Sequence, residues 1–296
     1  MLQDLISAVS LGSIYLLFAL GMSLVWGTIG ILNFAHGVIF MFSAFVTYLL
    51  DQRVDLPLAG LLAIGIVVGA VMSLAMQILA FEPILRRAKD FRTAELQILI
   101  AAIGIATIPL AIAQYQTKSN PFGFTSTTFT SKTYEILGAR ISNTQIIIIV
   151  AAVGISAVMA FWLRTSRGGL ALRAIGVDSE TTSLMGVNRT RMALGVMALA
   201  GALAGLAGVL LTLNLGAITP ESGDTLLVKA FAAVILGGVG SVAGVVVGSF
   251  ALALIETIVL VETAGTWVSA VSFGIIFLVL LFRPQGLFGR AEVRRT

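Results

Sequence analysis

Residues 163–191 read L-R-T-S-R-G-G-L-A-L-R-A-I-G-V-D-S-E-T-T-S-L-M-G-V-N-R-T-R and form the longest strongly polar segment between two apolar stretches of the chain. Asp178 stands where its side-chain oxygen can accept a hydrogen bond from the first turn of a short helix over residues 179–185. Gly186 follows, and glycine ends a helix at little cost in the left-handed conformation. The pattern predicts a two-turn helix held outside the membrane, with Leu184 and Met185 exposed to a partner protein.

The same segment has a second interpretation, a basic loop that is only solvated. From this segment alone the two interpretations stay open. The arginines in it are Arg164, Arg167, Arg173, Arg189 and Arg191.

The composition of the chain indicates a membrane protein. Of its 296 residues, 58% are hydrophobic and 11% are charged, whereas a soluble domain has about 25% charged residues. The basic residues flank apolar segments, which indicates a topology signal rather than nucleic-acid binding. The lack of cysteine excludes disulfides and thiolate sites. We expect an all-α polytopic membrane protein that forms a single domain over residues 1–296.

Nine apolar stretches are candidate membrane spans, because a crossing helix needs about 20 apolar residues. The seventh stretch is short for a normal crossing, so eight passes are the alternative to nine. The stretches are 5–25, 29–50, 56–80, 98–114, 146–163, 194–213, 226–239, 242–261 and 267–282.

The distribution of Lys and Arg predicts the orientation. Thirteen basic residues fall in one set of loops and five in the other, and the positive-inside rule places the thirteen in the cytoplasm. Nine passes then put the N-terminus outside and the C-terminus inside. The larger set is Arg86, Arg87, Lys89, Arg92, the five arginines above, Arg283, Arg290, Arg294 and Arg295; the smaller set is Arg53, Lys118, Lys132, Arg140 and Lys229.

The long outer loop over residues 115–143 is rich in Thr, Ser and aromatic residues. Its side chains Phe122, Phe124 and Phe129 suit a docking surface for an external protein. The alternative is an amphipathic loop that lies on the lipid headgroups.

Two glycine-rich segments interrupt the apolar sequence. Residues 27–37 hold Asn33 and the only histidine, His36, and residues 237–248 read G-G-V-G-S-V-A-G-V-V-V-G. Non-helical backbone at membrane depth is tolerated where it faces protein or a water-filled cavity, and broken helices near both ends of a chain point to a transport site. Close helix packing is the alternative for the second break. For the first break, intramembrane Asn33 and His36 argue against packing alone, because each polar group costs energy unless it is bonded. For His36 the sequence favours a structural hydrogen bond to a neighbouring helix over a ligand contact.

Two further features concern single helices. Gly201, Gly205 and Gly208 recur at helical spacing and predict a smooth face for close packing. Glu256 lies near the outer end of the eighth stretch, so we expect it at the membrane interface; a buried, functional Glu256 is the less favoured interpretation.

The sequence has none of the motifs of an enzyme. It contains no G-x-x-x-x-G-K-[ST] phosphate loop, no metal-ligand spacing and no series of intramembrane carboxylates that would drive a proton- or sodium-coupled carrier. A transporter that draws its energy from elsewhere fits best. No metal and no cofactor of its own are expected.

Four segments together resemble the permease subunits of ATP-binding-cassette importers for branched-chain amino acids. They are I-L-N-F-A-H-G at 31–37, R-A-I-G-V-D-S-E-T-T-S-L-M-G-V-N at 173–188, K-A-F-A-A-V-I-L-G-G-V-G-S-V-A-G at 229–244 and F-R-P-Q-G-L-F-G at 282–289. The resemblance covers nearly the whole chain. One departure is Val38, since many relatives have an acidic residue directly after A-H-G.

The resemblance implies a multi-pass subunit of the bacterial inner (plasma) membrane with 8–9 transmembrane or partly spanning helices. It implies a cytoplasmic coupling loop over 164–191, whose short helix enters a cleft of an ATPase that binds the ATP. It also implies a second homologous permease and an external solute-binding protein. The coupling residues are then Asp178, Ser179, Glu180, Leu184, Met185 and Gly186. We expect the translocation path at Asn33, Phe34, His36, Gly37, Gly237, Gly238, Gly240 and Ser241.

Alternatives to this function remain. Related permeases carry urea, short amides or other small acids. A stand-alone channel or secondary carrier would work without the loop helix and without an ATPase, and a membrane scaffold would not transport at all.

Overall fold

A computed structural model describes residues 2–124, 132–136, 138–263, 265, 267–283 and 285–288. In the described part the chain is almost entirely helical. The helices are α1 (Leu2–Ile29), α2 (His36–Asp51), α3 (Leu58–Met76), a π-helical turn (Gln77–Phe81), α4 (Glu82–Arg87), α5 (Phe91–Thr117), α6 (Asn143–Thr165), α7 (Arg167–Val177), α8 (Ser179–Leu184), α9 (Arg189–Leu215), α10 (Ser222–Gly237), α11 (Val242–Thr263) and α12 (Val268–Phe282).

Each of the nine predicted apolar stretches contains a helix. Among the described residues, six helices are long and apolar enough to cross a membrane, and His36–Asp51 and Val268–Val279 are shorter apolar helices. The predicted start of the second stretch, Ile29, is wrong as the start of the second helix. Ile29 is the last residue of α1, and α2 begins only at His36, because Gly30 takes a positive φ of 76° that ends the first helix.

Hydrogen bonds near the helix termini mark two ends of the molecule. At one end the backbone N–H of Arg140 donates to Oε1 of Gln3 (2.8 Å), and Nε2 of Gln114 donates to Oε1 of Glu221 (2.7 Å). At the other end the hydroxyl of Thr190 donates to Oε1 of Glu82 (2.8 Å). We call the second the arginine-rich end, because the helix termini and short helices there hold Arg86, Arg87, Arg164, Arg167, Arg173, Arg189 and Arg191.

Helices α1 and α9 form the centre of the molecule. In their most apolar windows 72% of residues are buried, compared with 22%, 17% and 22% in the spans that contain α3, α5 and α6. The outward faces of those three helices are therefore the surfaces left for lipid or for another subunit. Their exposed side chains include Val71, Leu96, Ile100, Val150 and Phe161.

The glycine face predicted on α9 is used for close packing. A Cβ atom at Gly201 or Gly205 would collide with the backbone of Gly69 or Gly65 on α3, and one at Gly208 would collide with Phe40 on α2. The helix backbones touch, so this face is a packing surface as predicted.

The long loop at the opposite end contains an antiparallel hairpin, β1 (Thr133–Ile136) and β2 (Ala139–Ser142). Phe122 is buried and packs against Phe45 and Tyr48, with ring centroids 5.5 Å from each. Its prediction as a docking residue is therefore wrong, because the ring belongs to the core. Phe124 is half-buried, and Phe129 lies outside the described residues.

Candidate translocation path and coupling surface

The first break is a compact turn packed inside the protein. Asn33 is buried, and its Oδ1 accepts a hydrogen bond from the N–H of Ala35 (3.1 Å), which supports the start of α2. Nε2 of buried His36 lies 3.3 Å from the carbonyl oxygen of Phe18 on α1. That contact is the hydrogen bond to a neighbouring helix that the sequence favours. Nδ2 of Asn33 and Nδ1 of His36 have no partner among the described residues.

The remaining residues of this break contact α10. The half-buried ring of Phe34 packs against Phe231, with centroids 5.3 Å apart. Gly37 meets the backbone of Gly223 so closely that a Cβ atom at either position would collide with the other residue. The start of α2 is thus pressed against α10.

The second break follows α10. Helix α10 ends at Gly237, Gly238 and Gly240 have positive φ values of 104° and 75°, and α11 begins at Val242. The hydroxyl oxygen of Ser241 accepts from the N–H of Gly244 (3.1 Å), so Ser241 supports the first turn of α11.

The C-terminal segment completes the end of α10. The N–H of Leu287 donates to the carbonyl of Leu236 (2.8 Å), and the N–H of Phe288 donates to the carbonyl of Gly237 (2.9 Å). The last carbonyls of a helix have no partner within it. Residues of the F-R-P-Q-G-L-F-G segment therefore satisfy them here.

The two breaks meet near the arginine-rich end. The N–H of Gly240 donates to the hydroxyl oxygen of Ser23 on α1 (3.1 Å), and a Cβ atom at Gly27 would lie 2.6 Å from Cα of Gly240. A cavity of about 220 Å³ adjoins this contact, and Gly240 and Ser241 line it. Asn33, Phe34, His36, Gly37, Gly237 and Gly238, the other residues predicted for the path, do not line it.

The predicted loop helix is present as α8 and ends one residue earlier than expected, at Leu184. Oδ1 of Asp178 accepts from the N–H groups of Glu180 and Thr181, each at 3.0 Å. At the other end Gly186 has a φ of 87°, and the N–H groups of Gly186 and Val187 donate to the carbonyls of Ser183 and Thr182. This is a Schellman motif, so both ends of the short helix are held as the sequence predicts.

The apolar side chains of α8 have no cover in the described structure. Leu184 is 85% exposed and Met185 is 82% exposed. Sequence reasoning missed the helix before them, α7, which buries Leu172 and Ile175 and lies against α1 where a Cβ atom at Gly176 would collide with the carbonyl of Gly27. Helix α7 therefore connects the exposed helix to the place where the two breaks meet.

A buried charge cluster was also missed. Nζ of Lys229 on α10 lies 3.0 Å from Oε2 of Glu256 on α11, which also accepts a hydrogen bond from the hydroxyl of Tyr15 on α1 (2.6 Å). Ser272 on α12 donates to the other carboxylate oxygen. The carboxylate of Glu256 on α11 is thus linked to side chains of α1, α10 and α12.

This cluster corrects two predictions. Glu256 is 2% exposed and is buried inside the protein, as in the interpretation that the sequence favoured less, and Lys229 lies within α10, not in an outer loop. The available signal was one Lys and one Glu in neighbouring apolar stretches, since an intramembrane charge needs a partner of opposite sign.

Glycine-broken apolar helices, a cavity at their contact and a capped helix outside the span together define a polytopic transport permease. Comparison with known families agrees. The chain belongs to the family described as branched-chain amino acid transport system / permease component, which matches residues 5–280.

Two relatives match the whole chain, and a third matches most of it. It is 31% identical over 307 residues to the high-affinity branched-chain amino acid transport system permease protein BraD of Pseudomonas aeruginosa, covering 100% of this chain and 98% of BraD. It is 31% identical over 308 residues to the corresponding protein LivH of Escherichia coli, covering 100% and 97%. The probable LivH of Methanocaldococcus jannaschii is 28% identical, covering 95% and 90%. No solved structure matches the chain significantly.

Proposed function

We propose that this chain is the non-catalytic permease subunit of an ATP-driven importer in the inner membrane. It translocates branched-chain or other small hydrophobic amino acids that an external solute-binding protein delivers. ATP is bound and hydrolysed by separate cytoplasmic subunits, and a second homologous permease, or a second copy of this chain, completes the path. Membership of the family supports the class of protein, and the names of the relatives support the substrate.

The observation that supports an ATPase partner is the capped and exposed helix α8. A six-residue helix is too short to be stable alone in water, yet Asp178 and Gly186 hold both of its ends. It presents Leu184 and Met185 to solvent. Burying such a side chain is favourable by roughly 1.5–3 kcal/mol, so the pair suits an apolar groove of another subunit.

The path is proposed along the two breaks. Closure of the ATPase subunits moves α8, and α7 transmits the movement to the contact between Gly27 and Gly240. Nδ2 of Asn33 and Nδ1 of His36, which have no partner in the described part of the chain, provide polar atoms at the first break. We place the gate between these two segments.

Uptake by reconstituted liposomes tests the function. With the cognate ATPase and binding protein present, we expect ATP-dependent uptake of leucine, isoleucine and valine, and none when the ATPase is omitted. Uptake without the ATPase would make the chain a channel or carrier. Uptake of urea or short amides in place of leucine would show that the protein transports one of the other substrates carried by related permeases.

The orientation has its own prediction. In this cysteine-free chain expressed without the ATPase, a single Ser179→Cys change should react with an impermeant maleimide in inverted vesicles and not in intact cells, because the positive-inside rule places the arginine-rich end in the cytoplasm. Lys132→Cys, exposed at the opposite end, is the matched control and should react in intact cells. The reverse pattern would contradict the assignment.

The first break is tested by Asn33→Leu. Leucine removes the acceptor for the N–H of Ala35 and the spare amide, so we expect uptake to be abolished while the complex still assembles. Asn33→Ser keeps a side-chain oxygen that can support the same turn and should retain uptake in part. Normal uptake by Asn33→Leu would mean that this segment serves helix packing only.

A further inference from the structure

The cavity beside the two breaks lies between α1, α6, α7 and the beginning of α11. Its volume is about 220 Å³. The residues around it are Leu20, Ser23, Leu24, Gly27, Thr28, Ala160, Leu163, Arg164, Leu172, Arg173, Gly240, Ser241, Val242 and Ala243.

The lining has two chemically different parts. The inner wall is aliphatic, with Leu20 and Leu24 from α1, Leu163 from α6, Leu172 from α7 and Val242 from α11. Arg164 and Arg173 lie at the exposed side. None of the described residues that line the cavity is acidic, so two positive charges from different helices converge on one chamber without a carboxylate in its wall.

The end of α1 supplies the complementary charge. Gly27 and Thr28 lie in the last turn of this helix and line the cavity. The carbonyl groups at a helix C-terminus carry partial negative charge and favour a cation. One small chamber thus offers a cationic side, an aliphatic wall and the negative end of a helix.

From these three features we propose that the cavity holds the transported amino acid before it leaves the permease for the cytoplasm. Its carboxylate is bound by Arg164 and Arg173. The ammonium group faces the end of α1, and the branched side chain lies among the leucines. This assignment rests on the proposed function and adds that the permease itself recognises the carboxylate of the substrate. Guanidinium groups bind carboxylates through charge-assisted hydrogen bonds. Urea and amides lack that group, so the chamber selects against them.

The position of Arg173 also links binding to release. Arg173 lies on α7, whereas Arg164 lies on α6. Helix α8 follows α7 directly, so a partner that pulls on α8 changes the distance between the two guanidinium groups. The carboxylate is held while the arginines converge and is released when they separate.

Protection of a cysteine placed in the chamber tests the assignment apart from transport. Ala243→Cys is exposed in the lining, and Ala160→Cys is the second variant if the first does not assemble. In inverted vesicles that contain the whole complex without ATP, the rate of maleimide reaction is measured with leucine, 4-methylpentanoate, leucinamide or inorganic phosphate. Leucine uptake by the unmodified complex is measured in parallel.

We expect leucine and 4-methylpentanoate to slow the reaction and leucinamide not to. Arg164→Gln or Arg173→Gln should weaken this protection at least about tenfold, the loss of a charge-assisted bond. Arg167→Gln and Arg189→Gln, on the same loop but outside the lining, should leave it unchanged.

The other outcomes overturn the assignment in different ways. Leucine uptake without protection by leucine would remove the amino acid from this cavity and leave the proposed function intact. Protection by phosphate but not by leucine would make it a site for phosphate or a lipid headgroup. If the unmodified complex took up no leucine, the proposed function would fail, and the amino-acid assignment with it.

Discussion

Replacing Glu256 by leucine is expected to destabilise the protein by about 3–5 kcal/mol, the usual cost of removing one partner of a buried ion pair. The ammonium of Lys229 would lose its counter-charge and the hydroxyl of Tyr15 its acceptor, while the hydroxyl of Ser272 would keep only the carbonyl of Val268. The measurement is the thermal unfolding midpoint of the purified protein in detergent, read from the fraction that stays monodisperse.

Two controls separate the ion pair from its surroundings. Glu262→Leu, on the same helix and exposed, should change stability by no more than about 0.5 kcal/mol. The double change Lys229→Met with Glu256→Leu should recover part of the loss, because an apolar pair leaves no charge unpaired. A Glu256→Leu protein as stable as the unmodified one would refute the role given to this cluster.

The second large effect concerns α8. Changing both Leu184 and Met185 to aspartate should abolish association with the ATPase and substrate uptake. Each exposed apolar side chain is worth roughly 1.5–3 kcal/mol when buried by a partner, and the change places two charges in the same groove. Membrane insertion and binding of the external protein should stay normal, since neither side chain contacts the core. ATPase co-purification and uptake are measured in the same membranes.

The control for charge alone is Ser183→Asp, because Ser183 is exposed on the same helix and its side chain takes no part in the cap at Asp178. This variant should retain more association than the Leu184 and Met185 pair. Asp178→Ala should act in the same direction more weakly, because a helix cap is worth about 1 kcal/mol. If the double aspartate protein still retained the ATPase and transported normally, the loop would be a solvated connector.

Features set by local chemistry could be predicted from the sequence. The caps of α8 depend on Asp178 and Gly186, residues within one or two positions of the helix they cap. The packing face of α9 depends only on glycine spacing, and the helices in the nine apolar stretches depend on composition. These properties do not require knowledge of the neighbours in space.

Features set by the arrangement of helices could not be predicted in the same way. Lys229 and Glu256 are 27 positions apart, and nothing local distinguishes a paired charge from one at an interface. The contact between Gly27 and Gly240 depends on how α1 meets the turn after α10. The burial of Phe122 depends on α2, which supplies Phe45 and Tyr48.

The pairing of the C-terminal segment with α10 has a mechanical consequence. Leu287 and Phe288 are bonded to the last carbonyls of the helix that precedes Gly240. If the turn at Gly240 withdraws from α1, the tail must travel with it or two hydrogen bonds must break. The C-terminal segment therefore limits how far the turn at Gly240 can move away from α1. In a chain that ends at Arg283 this limit would be absent, so the turn would move further from α1 and contact it less often.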